Sequence, residues 1–157
     1  MGKRRRWALA PAFARAAAPL RPADIAITII TSSPVQDARL PALRETWLGG
    51  AAARCAAALV VSDAAVRCDG GGPCVASVAV DCAASHAGLP CKSARALEAS
   101  LAAAPRARWH VRVMDDTYVD VDALAWHLGD LDDARPWYVG DTVAVPREGA
   151  GRADGAT

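Results

Sequence analysis

The sequence predicts an α/β domain built around a mostly parallel sheet. Two observations carry this. Apolar, β-branched runs alternate with segments of helical periodicity along most of the chain, the pattern of strand–helix units that build parallel sheets. The first strand-like run, Asp24 to Thr31, is also close to continuous in apolar character, as expected of a strand covered on both faces. The length of 157 residues fits one domain and suffices to bury a core.

Each element has its own signature. Asp24 to Thr31 (Asp-Ile-Ala-Ile-Thr-Ile-Ile-Thr) reads as a buried strand. Ser33-Pro34-Val35-Gln36 has the spacing of a capping box with proline at the first helical position. Val35, Ala38, Ala42, Leu43 and Trp47 then recur at helical spacing, and Gly49-Gly50 is expected to end that helix. Cys55 to Val61 is a second strand, closed by Ser62-Asp63. Asp69 to Pro73 is a glycine-rich turn, and Val75 to Val80 a third strand. Pro90 to Leu101 reads as a helix with Cys91, Ala94, Leu97 and Leu101 facing inward. Arg108 to Met114 is a fourth strand. Asp120 caps a helix over Val121 to Leu131 with Leu124, Leu128 and Leu131 on its apolar face, and Pro136 to Gly140 is a short fifth strand. Residues 146–157 are Gly, Ala and charge, and read as a disordered tail.

Composition narrows the function. The chain is 53% apolar, much of it alanine, so the core rests on the Val/Ile/Leu set, five Trp and one Phe. The net charge of +1 hides an asymmetry: residues 1–21 hold six basic side chains and no acid, so 12 basic and 17 acidic residues remain for the body. A body with about five surplus negative charges argues against nucleic acid as a partner, since that needs basic surface. The head of the chain, residues 1–23, is basic and alanine-rich. Its apolar stretch Trp7 to Leu20 is interrupted by Pro11, Arg15 and Pro19 and falls short of the roughly 20 apolar residues of a membrane span. It reads either as a degraded signal or transit sequence or as a disordered basic leader. The five cysteines, Cys55, Cys68, Cys74, Cys82 and Cys91, contain no Cys-x-x-Cys pair, so zinc is disfavoured. Disulfides in an oxidising compartment fit better: Cys82 with Cys91 and Cys68 with Cys74 would each close a short loop, leaving Cys55 free. The alternative keeps all five reduced.

The chemistry concentrates at strand ends. In open α/β sheets ligands bind beyond the carboxyl ends of the strands, and Thr31-Ser32, Ser62-Asp63 and Asp115-Asp116 all fall there. Asp115 and Asp116 are adjacent carboxylates, which repel unless a cation or donor is near. A hard divalent cation with open positions for phosphate is one solution; a solvated turn is the other. Asp63 is suited to accept a hydrogen bond from a ribose or base, and Thr31 to donate one to a base. Lys92 opens a helix, where an anion can bind, although a solvated lysine is the default there. His86 sits in the loop between Cys82 and Cys91 and reads as a surface residue. Asp120 and Asp122 belong to helix capping and the first-turn dipole rather than to a metal. No Gly-x-Ser-x-Gly, P-loop or dinucleotide fingerprint occurs.

Several segments together resemble the Fringe-like members of the inverting β-1,3-glycosyltransferases. They are Asp24 to Thr31; Ala38-Arg39-Leu40 with Leu43-Arg44-Glu45-Thr46-Trp47; Val60-Val61-Ser62-Asp63; Asp81-Cys82 to His86 with Cys91-Lys92; Asp115-Asp116-Thr117-Tyr118-Val119; and Trp137-Tyr138-Val139-Gly140. They stand in the family's order over residues 24–146. The resemblance implies a GT-A-like α/β/α sandwich whose nucleotide-sugar-binding part spans residues 24–145. It implies a metal at Asp116 with Asp115, donor contacts from Thr31, Arg39, Asp63, Lys92 and Asp115, and a disulfide between Cys82 and Cys91. It also implies Mn²⁺ or another divalent cation, and a UDP-sugar donor, with N-acetylglucosamine the expected sugar. The acceptor would be a glycan or glycoprotein, in the family O-linked fucose on epidermal-growth-factor-like repeats, and the setting a Golgi membrane. Two departures stand out. Met114 occupies the first position of the family's three-acid motif. The acceptor half, with its Thr-Gly-Gly-Ala-Gly-type segment and catalytic base, has no counterpart in these residues, so the resemblance implies a truncated, incomplete copy. A non-catalytic UDP-binding module or an inactive remnant is the alternative to an enzyme.

Overall fold

The computed structural model describes residues 19–67 and 75–140. Cys68, Cys74, the glycine-rich turn between them, residues 1–18 and the expected tail lie outside these. Four strands, β1 (Ile25–Ile30), β2 (Ala57–Ser62), β3 (Ala76–Ala79) and β4 (Trp109–Met114), form a single sheet in the order β3-β2-β1-β4. Every pairing is parallel, with Ile30 beside Val61 on one side and Met114 on the other. All six residues of β1 are buried, as its unbroken apolar run requires of a central strand.

Two cores flank the sheet. On one face Ile25, Ile27 and Ile29 pack with Leu40, Leu43, Trp47 and Leu48 and with Val121, Ala125 and Leu128. These come from α1 (Gln36–Leu43), the segment after it, and α4 (Val121–Gly129). On the other face Ile30 and Val61 meet Ala96 of α3 (Leu89–Ala103). The alternation of side chains along β1 thus feeds two layers of helix, giving the α/β/α arrangement of a GT-A-like fold.

Four local expectations are corrected. Gly49-Gly50 does not end the first helix: after a widened π turn at Arg44–Leu48 the chain continues as α2 (Gly49–Arg54). Three alanines, the best helix formers, follow the glycines, and Ala51 is buried against the core. The capping box is not formed, because Ser33 and Gln36 are engaged elsewhere: Ser33 bonds Asp63, while Gln36 donates to the Ala65 carbonyl and accepts from Ser62. The inward face of α3 is Lys92, Ala96 and Ser100, while Leu97 and Leu101 remain 53% and 48% exposed. The helix is turned by polar anchors, Lys92 reaching Asp63 and Ser100 bonding His110, and by the small Ala96, which allows close approach to the sheet. Residues 136–140 form no strand; they run irregular and exposed, with the Trp137 indole donating to the Asp132 carbonyl. By contrast Asp120 caps α4 as expected, its carboxylate accepting from the amides of Asp122 and Ala123, both at 3.0 Å.

Candidate functional site

β1 is where the sheet changes direction. The connection from β1 to β2 passes through α1 and α2 on one face, and the crossover into β4 passes through α3 on the other. Such a switch point opens a crevice at the carboxyl ends of the two central strands. The register puts Thr31 and Asp115 side by side there, each one residue past the paired Ile30 and Met114.

The two side chains meet. The Thr31 hydroxyl donates to Asp115 Oδ2 at 2.6 Å, and Arg39 Nη1 of α1 donates to Asp115 Oδ1 at 2.6 Å. Asp115 is only 2% exposed, whereas the Arg39 side chain is 46% exposed. A buried carboxylate without a partner is costly; here both oxygens are satisfied, and the carboxylate in turn raises the guanidinium pKa through the hydrogen bond and its charge. Thr31 spends its single hydroxyl proton on Asp115, so it is placed to accept from a ligand rather than to donate to a base. Asp116 diverges from its neighbour: it is exposed and makes no hydrogen bond or ion pair among the described residues. The adjacent carboxylates are thus resolved by separation, one neutralised inside and one facing solvent.

A second cluster lies behind the first. Lys92 of α3 is 0% exposed, not solvated, and its ammonium donates to Asp63, to Ser32 Oγ at 2.6 Å and to the Thr31 carbonyl at 3.1 Å. Asp63, past β2, also accepts from the Ser33 hydroxyl at 2.5 Å and the Ser33 amide at 3.2 Å. Burial alone would raise the Asp63 pKa; the bonds from Lys92 and Ser33 outweigh it and bring it down to about 2. Cys91, beside Lys92, is bonded to Cys82 past β3 with Cα atoms 5.9 Å apart, and Cys55 is free and half-buried just before β2.

Two hollows meet at the Arg39–Asp115 pair. One, of about 230 Å³, is walled by Thr31 and Ser32, by Arg39 and Asp115, and by Ser85 and His86 of the disulfide loop. The other, of about 420 Å³, is open and holds Asp116 with Thr46, Trp47 and Tyr118. Asp63 and Lys92 line neither. Ser32 is a wall residue as its strand-end position suggests, and His86, expected at the surface, is one too; Ser85 was not singled out, because a loop serine carries no periodic signal by which to find it. A larger hollow of about 620 Å³ lies beside β4 between Trp109, Trp137 and Tyr138, away from the strand-end carboxylates.

For a divalent cation, the described residues contain no cluster of three or more carboxylate, imidazole or thiol ligands. Among the described residues, Asp116 past β4 and Asp81 past β3 are exposed strand-end carboxylates with no hydrogen-bond or ion-pair partner. Either carboxylate alone would leave a hard cation most of its water ligands.

The Fringe-like family model matches residues 20–156. The chain belongs to the Fringe-like family. Membership makes it a member of a glycosyltransferase family, and a switch-point crevice is where open α/β sheets bind their ligands. No curated protein and no solved structure gives a significant match. No helix among the described residues is long and apolar enough to cross a membrane.

Proposed function

We propose that this Fringe-like chain binds a UDP-sugar, with N-acetylglucosamine the expected sugar, for metal-dependent transfer in β-1,3 linkage to a glycan or glycoprotein. The observation that carries it is the pair of hollows sharing Arg39 and Asp115. In this reading the smaller one takes the nucleoside between Thr31-Ser32 and the disulfide loop. A diphosphate leaving it passes the half-exposed Arg39 guanidinium, a planar fork suited to phosphate oxygens, and reaches Asp116.

Each residue then has a task. Thr31 and Ser32 bound the nucleoside. Asp115 holds Arg39 in place and keeps its charge. Asp116 holds Mn²⁺ or a similar cation, which when bound offsets the charge that develops as the diphosphate leaves. The Cys82–Cys91 bond supports an oxidising, secretory-pathway setting.

Calorimetry with UDP, with and without Mn²⁺, tests this. The wild-type chain is expected to show Mn²⁺-dependent heat. Asp116→Asn should abolish the metal-dependent part, whereas Asp120→Asn should not, because asparagine caps a helix about as well as aspartate. Equal binding by both variants would remove the metal from Asp116. A UDP-release assay with acceptor separates an enzyme from a binder.

A further inference from the structure

Lys92 is a fully buried ammonium that touches neither hollow. Its three hydrogens meet three acceptors: Asp63 at the end of β2, and Ser32 Oγ and the Thr31 carbonyl at the end of β1. An ammonium has three donors and no more, so none remains for a phosphate. Through Thr31 the chain of bonds continues to Asp115 and Arg39. Through Asp63 it continues to Ser33, whose amide and hydroxyl are both held. The loop from Thr31 to Ser33, of which Thr31 and Ser32 wall the smaller hollow, is therefore fastened from behind by one lysine.

We infer that Lys92 is a positioning residue for the nucleotide, acting through Asp63 and the Thr31–Ser33 loop and making no contact with the donor. This rests on the donor-binding reading above. A lysine that merely held the helix to the sheet would affect stability alone. A lysine that bound the diphosphate would affect UDP but not uridine. A positioning lysine weakens both ligands by a similar factor, because the wall it holds faces the nucleoside.

The test uses the full chain with Lys92→Met, and with Lys92→Met/Asp63→Asn, which removes the carboxylate that the single substitution strands in the interior. Thermal melts follow the fold; NMR titration of uridine and calorimetry of UDP with Mn²⁺ follow binding. The double variant is expected to recover stability lost by the single one, while both ligands remain weakened about tenfold or more, each tenfold being about 1.4 kcal/mol of binding. Wild-type affinity for both ligands in the double variant would overturn the proposal, as would loss confined to UDP. If the wild-type chain bound neither ligand, the donor reading would fall. The nucleotide-positioning role would fall with it, and the fastening of the Thr31–Ser33 loop by Lys92 would be decided separately by hydrogen exchange at the Ser33 amide: faster exchange in Lys92→Met upholds the fastening, and unchanged protection refutes it.

Discussion

Asp63 shows what a single residue contributes. Its carboxylate accepts a buried ammonium, an amide and a hydroxyl, and every one of these bonds favours the ionised form. Its folded pKa of about 2 lies below the ordinary value of about 4. The sign follows: the stabilisation is fully present above pH 4 and is lost as pH falls toward 2, since protonating the folded state costs more than protonating the unfolded chain. Acid denaturation followed by circular dichroism should therefore steepen between about pH 4 and pH 2, and Asp63→Asn should flatten that segment. An unchanged profile would show that Asp63 is not held as described. The strand-end position of Asp63 was readable from Ser62-Asp63 closing an apolar run. Its partner was not, because Lys92 lies 29 residues away and a lysine at a helix start reads as solvated. A buried ion pair leaves no local trace in sequence; only the fold brings its halves together.

At the scale of elements, four of the five expected strands and the apolar face of α4 were readable, and the phase of α3 was not. β1 and β2 announce themselves by nearly continuous apolar runs, β4 by a run of alternating character, and the α4 start by Asp120 at the cap. α3 was misread because a leucine-led apolar stripe competes with one made of Lys92, Ala96 and Ser100, and tertiary bonds choose the second. The 3₁₀ turn His86–Gly88 that leads into α3 is more tightly specified. Gly88 is buried, and a Cβ there would lie 1.9 Å from the Ala83 carbonyl oxygen. Because that obstacle is backbone rather than a flexible side chain, Gly88→Ala must push the loop outward, at a cost of about 1 to 3 kcal/mol by the usual scale of overpacking. A thermal melt checks this. Gly50→Ala, at a helical position with open space around it, should by contrast stabilise by about 0.5 to 1 kcal/mol.

Across the whole molecule, the parallel sheet and its rim of polar residues were readable, because strand ends and helix order define a switch point without any side-chain detail. The covering of that rim was not, since it depends on how the loop past β3 folds back. The Cys82–Cys91 bond closes that loop over a separation of nine residues and fastens the start of α3, and with it Lys92, to the end of β3. It therefore serves both the fold and the hollow proposed for the nucleoside, of which Ser85 and His86 are wall. The two contributions separate in one variant. Cys82→Ala/Cys91→Ala removes a loop-closure constraint worth roughly 2 to 3 kcal/mol, which for a domain of this size lowers Tm by roughly 5 to 10 °C. At a temperature where the variant remains folded, UDP affinity should also fall, because the wall carrying Ser85 and His86 is no longer held at both ends. A lowered Tm with unchanged UDP affinity would show that the loop fastens α3 without shaping the nucleoside hollow. Unchanged values of both would show that the loop is held in place without the disulfide.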